Sequence, residues 1–338
     1  MSEPFFFMLD AIVTPLLATF ELIAGYFTDA NQRIYWLYSA VALGMAVAVF
    51  LFKKLPLTAL ISREIWWHPS ARQDYVIFFC NRLLKMLGAI PVLLVMAPMA
   101  IELSGWLETI FGHREFIALA NWQIIALFTA LLFLVDDFTR FLLHYLLHKV
   151  PLLWEFHKVH HSAKVLTPIT IYRSHPVESF LYGMRMILSQ AIAVGVCYYF
   201  FGPTLSMFDI LGANVFVFAF NIMGSNLRHS HVWLSWGNAL EHIFISPAQH
   251  QIHHSDKRIH IDCNFGSALA IWDKAFRCLI LASTVKHPKE ITFGLGKSFK
   301  EHDTLLAIYL MPCINALKTC NPITLINRLL KHTKRSQN

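Results

Sequence analysis

Several long uncharged apolar runs limit what this chain can fold into. A bilayer's hydrocarbon core satisfies no exposed peptide group, so a spanning segment must be a helix or part of a closed barrel. A helix needs roughly 20 apolar residues to cross. Ile34–Phe52 is a 19-residue run without a charge, and Phe116–Val135 gives 20 before it meets Asp136 and Asp137. Met86–Ile101 has 16 residues and carries Pro91 and Pro98, so it is expected to be short or kinked. Met186–Phe208 and Ile210–Leu227 follow, with Gly202-Pro203 as the expected turn of an antiparallel helical hairpin. Phe5–Phe27 is apolar but holds Asp10 and Glu21, which fits either a crossing or a helix lying in the interface. Composition agrees with helices: 56% of residues are hydrophobic and 14% charged, against about 25% charged in a soluble domain. The net charge of +7 then reads as topology determinants flanking the spans rather than as a nucleic-acid surface. The six cysteines are scattered without a C-x-x-C pair and imply no disulfide framework. The N-terminus lacks a basic n-region, so no cleaved signal peptide is expected.

Loop charges give the orientation. The loop from Lys53 to Lys85 carries Lys53, Lys54, Arg63, Arg72, Arg82 and Lys85, whereas the loop after the next span has Glu102, Glu108 and Glu115 against Arg114. The positive-inside tendency puts the first loop in the cytoplasm. Counting spans from there, Phe116–Val135 runs inward, and the 186–227 hairpin goes out and returns.

Histidines cluster where those spans end. His144 and His148 lie one turn apart after the Phe116–Val135 run, and Pro151 stops their helix. His157, His160 and His161 follow at i, i+3 and i+4. The same H-x-x-H-H recurs about ninety residues later at His250, His253 and His254, where Ser246-Pro247-Ala248-Gln249 reads as a capping box with proline at the first helical position. The topology brings both blocks to the cytoplasmic face, as two halves of one site. Eight clustered histidines exceed the four ligands of a structural zinc site and suit two metals with open positions; imidazole accepts iron, zinc, copper or nickel. His229, directly after the last span, is a ninth candidate, and His175 and His231 are weaker ones. His242 and His260 lie off the spacing, and His68, His113, His287, His302 and His332 read as surface or hydrogen-bonded residues. Since a ligating imidazole donates its other N–H to an acceptor, Asp137, Glu155, Glu178, Glu241, Asp256 and Asp262 are candidate acceptors, with Arg140 an alternative partner for Asp137.

These blocks, with their flanks Leu153-Trp154-Glu155-Phe156 and Lys158-Val159 and with Ser246-Pro247, Asn264-Phe265-Gly266 and Ile271-Trp272-Asp273, resemble the fatty acid hydroxylase/sterol desaturase superfamily over roughly Asp136 to Phe276. His-Pro-x-Glu at His175–Glu178 is similar to a motif of its sterol-oxidising branch. One departure stands out: members usually follow Trp-Asp-x-x-Phe with Gly-Thr, but here Phe276 precedes Arg277-Cys278. The resemblance implies two non-haem irons held by His144, His148, His157, His160, His161, His229, His250, His253 and His254. They would use O2 and two electrons to attack an unactivated C–H bond of a membrane lipid, giving an alcohol or, after a second hydrogen removal, an alkene. With no haem motif or G-x-G-x-x-G fingerprint in the chain, the electrons are expected from a separate partner, cytochrome b5-like or a ferredoxin/reductase.

The expected architecture is an all-α integral membrane protein, a multi-pass helical bundle whose cytoplasmic helical cap carries a histidine-rich di-metal site. Residues 1–135 form an N-terminal transmembrane region, 136–276 the catalytic region with its 186–227 hairpin, and 277–338 a basic tail with an amphipathic helix at Pro322–Arg335. The bacterial inner membrane and the endoplasmic reticulum both suit it. Two competing readings are a histidine-rich metal transporter or sensor, which predicts ligands at mid-span, and a scaffold that has lost catalysis.

Overall fold

The structure, a computed structural model, describes residues 23–87, 93–203, 206–296 and 298–320, with scattered positions between 13 and 21. The helix expected at Pro322–Arg335, most of Phe5–Phe27 and the proline at 91 lie outside the described residues. The described chain is mostly helical. The elements that place the site are α1 (Trp36–Phe52), α2 (Pro69–Leu87), α3 (Leu93–Phe111), α4 (Asn121–Lys149), α5 (Pro151–His161), α6 (Pro176–Phe201), the strand pair β1 (Asp209–Ile210) and β2 (Ala213–Asn214), α7 (Val215–Ile222), α8 (Pro247–His253), α9 (Ile271–Ala275) and α10 (Leu305–Cys320).

α4 is the central element. The Phe116–Val135 run and the helix bearing His144 and His148 are one continuous helix of 29 residues, about 43 Å at 1.5 Å per residue. It starts later than the apolar run, at Asn121, where the Gln123 side chain accepts the Ala120 N–H. It ends at Val150, held extended before Pro151, which opens α5 as its first residue. α6 packs along α4 through Phe128, Ala193 and Cys197, and Arg185 reaches Asp136 at 2.8 Å. Asp136 also holds Arg140 at 2.7 Å, so the partner of Arg140 is Asp136 and not Asp137. α3 lies against α6 at Gly195, where a Cβ would stand 2.7 Å from the Ala100 carbonyl; only glycine permits that approach. Because α3 runs to Phe111, Glu102 and Glu108 sit on a helix rather than in a loop.

Among the described residues α6 is long and apolar enough to cross a membrane, and α1 and residues 305–319 are shorter apolar helices. The expected return limb Ile210–Leu227 is not one helix. Gly202, at φ +79, ends α6 where the turn was expected. β1 and β2 then form a hairpin turning on Leu211 and Gly212, both at positive φ, as a type I′ turn requires. Asn214 caps α7, which lasts eight residues, about 12 Å. Gly224 at φ +85 diverts the chain into a 3-10 turn carrying His229. Within the tail, α10 carries one basic residue, Lys318, in its last turn and buries Ile308 against Ile77 of α2 and Val159 of α5.

Candidate metal centre

The nine predicted histidines converge. His144, His148, His157, His161 and His253 form one group and His160, His229, His250 and His254 a second, each with ligand atoms within 4.8 Å of one another. The two H-x-x-H-H blocks are not separate halves of the site. α5 gives His157 and His161 to the first group and His160 to the second, while α8 and its cap give His250 and His254 to the second and His253 to the first. The α8 N-terminus has the expected capping box, with Gln249 N–H on Ser246 Oγ and Ser246 N–H on Gln249 Oε1.

Hydrogen bonds on the outer side fix the tautomers. The Nδ1 of His144 donates to the Phe265 carbonyl at 2.8 Å, that of His253 to Cys263 at 2.6 Å and that of His160 to Arg173 at 3.2 Å. His157 Nδ1 lies 2.9 Å from the Glu178 carboxylate and His148 Nδ1 3.4 Å from Asp262. A carbonyl cannot donate, so in His144, His253 and His160 the proton sits on Nδ1 and Nε2 presents a bare lone pair. The Nε2 atoms of His144, His157 and His253 are buried without a partner. In the second group His229 Nε2 lies 3.2 Å from that of His160 and 3.1 Å from those of His250 and His254. Lone pairs repel at that distance unless a cation lies between them. Two imidazoles bound at right angles to one ion, with bonds of about 2.1 Å, would stand about 3 Å apart. The donor set therefore fits two metal ions.

Electrostatics keep these rings neutral. Burial holds His144, His157, His161, His229, His250, His253 and His254 well below the ordinary histidine range, and neighbouring imidazoles lower them further. His160 is pushed down to about 4, again chiefly by burial. Trp154 covers the first group, its ring 4.9 Å from His148 and 5.5 Å from His161.

Beneath the first group lies a scaffold built from Asn264-Phe265-Gly266 and Trp272-Asp273. Asn264 adopts φ +52, a conformation asparagine tolerates, and its amide donates to the Gln249 and Ile280 carbonyls. Phe265 is fully buried, and its carbonyl holds His144. At Gly266 a Cβ would meet Asp273 Oδ2 and the Leu269 carbonyl, each at 2.6 Å. Asp273 accepts the N–H groups of Phe265 and Gly266 at 2.6 and 2.8 Å. Asp137 touches no histidine. It accepts Ala268 N–H at 2.8 Å, Leu269 N–H at 3.1 Å and Trp272 Nε1 at 2.9 Å, so it anchors this scaffold to α4. Arg277, the departure from the expected family pattern, stands at φ +59.

Of the remaining candidate acceptors, Glu241 binds Ser235 Oγ, Ser246 Oγ and the Ala282 N–H, Glu155 pairs with Lys158, and Asp256 accepts Thr292. The weaker histidine candidates stay outside the groups. His175 caps α6 through Nδ1 and donates Nε2 to the Tyr309 carbonyl, and His231 packs on Phe50. His242 bonds the Asn238 carbonyl, and His260 is likewise outside the groups. His302, expected at the surface or hydrogen-bonded, is 2% exposed with neither ring nitrogen bonded. The sequence reading missed Arg173 and Asp74. Arg173 donates to Asp74 at 2.8 Å and to the Val159 carbonyl at 2.9 Å while its own carbonyl holds His160. The Arg-Ser-His-Pro motif had pointed to this place, but to its histidine.

The Fatty acid hydroxylase family model matches residues 129–278, which contain all nine histidines and the scaffold. Human alkylglycerol monooxygenase is 28% identical over 144 residues, 43% of this chain and 28% of that protein. The ornithine lipid hydroxylase OlsE of Rhizobium tropici is 31% identical over 140 residues, 41% of this chain and 38% of that one. The Delta(7)-sterol 5(6)-desaturase of Eremothecium gossypii is 24% identical over 263 residues, 75% of this chain and 67% of that protein. The chain thus spans well under half the length of the first two relatives. No solved structure matches it. The match of family and relatives falls on the histidine-bearing region, and that region, residues 129–278, belongs to the fatty acid hydroxylase/sterol desaturase superfamily.

Proposed function

We propose that this protein is an oxidoreductase in which the nine histidines hold two iron ions and O2 is used to hydroxylate or desaturate a C–H bond of a membrane lipid. The observation that carries this is the convergence of bare, buried Nε2 atoms into two adjoining groups while the Nδ1 protons are held outward. When bound, the irons would supply the oxidising chemistry. The chain's own work is to keep nine imidazoles neutral, hold five of them (His144, His253, His160, His157 and His148) from outside through Phe265, Cys263, Arg173, Glu178 and Asp262, and exclude water with Trp154 and Phe265. The relatives' names, a monooxygenase, a hydroxylase and a desaturase of lipids, support the substrate class.

We read the protein as a multi-pass membrane protein with the histidine site on the cytoplasmic face and electrons delivered by a separate redox protein. Large apolar side chains exposed along the helices, among them Leu43, Leu51 and Phe52 of α1 and Phe180 and Leu188 of α6, suit contact with lipid. A transporter would need ligands at mid-span. The histidines instead lie on the last turns of α4 and on the short segments beyond the long helices. Purification in detergent, metal analysis and comparison of lipid profiles with and without the protein test the reading. Two irons per chain, lost in His160→Ala together with an oxygenated or desaturated lipid, support it. Metal transport with an unchanged lipid profile refutes it.

A further inference from the structure

α10 is apolar on both of its faces, and one of them is open. Ile308, Pro312 and Ala316, each four residues from the next, are buried, with Ile308 against Ile77 of α2 and Val159 of α5. On the other side Leu306, Leu310, Ile314 and Leu317 follow at the spacing of a helical stripe and stand between 42% and 75% exposed. Residues 305–317 carry no charge. The polar side chains among them are bonded within the protein, Tyr309 Oη to Asn81 Oδ1 at 2.9 Å and Asn315 Nδ2 to Glu301 at 3.0 Å. A helix that faces water carries polar residues on its outer side, whereas one that is apolar all round is covered by protein or lipid.

The place of α10 in the fold selects the cover. The Tyr309 carbonyl accepts Nε2 of His175, the residue that caps α6, at 3.0 Å, so the middle of α10 lies at the start of α6. With 26 residues α6 is about 39 Å long, against a hydrocarbon core of about 30 Å, and its ends therefore reach the membrane surface. Phe180, Met184 and Leu188 form an exposed stripe on α6 from its second turn onward, and Leu84 stays exposed on the face of α2 that also holds Ile77 and Asn81. α10 itself has 16 residues, about 24 Å, too short to cross. Burial along one side and apolar exposure along the other fit a helix lying in the plane of the interface. Charge favours the same partner. Residues 304–338 contain five lysines and arginines and no aspartate or glutamate, which suits anionic lipid and opposes a second copy bringing the same charges to a two-fold contact.

We propose that α10 lies in the cytoplasmic surface of the bilayer with Leu306, Leu310, Ile314 and Leu317 in the lipid, so that the membrane is the partner of this face. The assignment rests on the membrane reading above. It also links the bilayer to the metal centre, because α10 holds α5 through Ile308 and Val159, and Glu301 just before it pairs with Lys158 at 3.6 Å. The helix that carries His157, His160 and His161 is thereby seated on the membrane.

The test places the full chain in vesicles of phosphatidylcholine and phosphatidylglycerol, with some phosphatidylcholine carrying a photoreactive diazirine near the head end of one acyl chain. After illumination, trypsin releases residues 301–318 and residues 186–228, most of α6 among them, as single peptides, and mass spectrometry locates the label. It is expected on Leu306, Leu310, Ile314 or Leu317 and not on Ile308 or Ala316. A probe with its diazirine at the tail end of the chain should label the 301–318 peptide roughly fivefold less, as a helix at the surface requires. Leu310→Glu combined with Leu317→Glu should cut its label by about fivefold or more and leave the 186–228 label unchanged. Both positions are exposed, so this variant is expected to fold, which its melting temperature verifies. Equal labelling by the two probes, undiminished label in the double variant, or a chemical cross-link between this peptide and its copy in a second chain overturns the proposal. An unlabelled 301–318 peptide also overturns it, and label on 186–228 in the same sample leaves the multi-pass reading standing. Label on 301–318 without label on 186–228 refutes the multi-pass reading and leaves the surface helix standing.

Discussion

Asp137→Asn tests whether the scaffold under the first histidine group depends on one carboxylate. Asp137 is 3% exposed and accepts three N–H donors, Ala268 on Oδ1 and both Leu269 and Trp272 Nε1 on Oδ2. Asparagine keeps one oxygen and turns the other into a donor, so one or two of the three N–H groups face an amide NH2. Each orphaned buried donor costs about 1–3 kcal/mol, and loss of the charge weakens what remains, for a total of roughly 2–4 kcal/mol. Against a total stability of about 5–15 kcal/mol the protein still folds. The damage falls locally on the segment whose Cys263 and Phe265 carbonyls hold His253 and His144. Both belong to the first group, and no residue of the second group bonds this segment in the same way. The expected outcome is a thermal midpoint lowered by several degrees in detergent and selective loss of one of two metals per chain. Trp272→Phe, which removes one donor but leaves the carboxylate, should cost about 1 kcal/mol and keep both metals. Asp137→Asn protein that melts with the wild type and retains both metals refutes the reasoning.

Gly266→Ala should be worse than its size suggests. Its Cβ would stand 2.6 Å from both the Asp273 carboxylate and the Leu269 carbonyl, and overpacking of that kind costs about 1–3 kcal/mol, to be seen as lower yield and melting temperature. Arg277→Gly should stabilise the protein, because Arg277 stands at φ +59 and relief of a left-handed non-glycine residue is worth roughly 1 kcal/mol; a lower melting temperature would contradict it. The metal-free protein should lose stability on acidification. His160, with its folded value near 4 against about 6.5 unfolded, takes up its proton first in the unfolded chain, so stability present above pH 6.5 drains away between pH 6.5 and 4. From His160 alone the loss between pH 7 and pH 5 is about 2 kcal/mol, measurable by denaturant titration at both pH values, and bound metal should reduce it.

The histidines were legible because their spacing is a local, helical property. His144 and His148 at i, i+4 before Pro151, and the capped block at His250–His254, announce their own helices and faces. What the sequence could not reveal depends on long-range closure. Asp137 has a histidine two turns ahead on its own helix, yet its partners come from residues 268, 269 and 272. The apolar stretch 210–227 has the composition of a spanning helix, but it is broken by residues at positive φ, Leu211, Gly212 and Gly224. Composition cannot express that constraint. Arg33 meets Asn221 only after the chain has folded back by about 190 residues.

The exchange of ligands between the two blocks gives H-x-x-H-H a physical meaning. On a helix, residues i and i+4 lie nearly above one another, and i+3 is offset to the side. His157 and His161 therefore face one group while His160 is turned toward the other, and on the facing segment His250 and His254 serve the second group while His253 serves the first. Two adjoining helices that each offered only H-x-x-x-H would make two separate two-histidine sites. The extra i+3 histidine ties each helix into the other's group, and His161 and His254 stack at 4.6 Å across the boundary. A shift of α5 against α8 must then deform both groups at once, and the outer clamps are distributed around them: Glu178 and Arg173 hold histidines of α5, Cys263 holds His253 of α8, and Phe265 holds His144 of α4. The motif is a device for holding two histidine groups in one register, and Asp137 acts on that register from α4 through residues 268, 269 and 272.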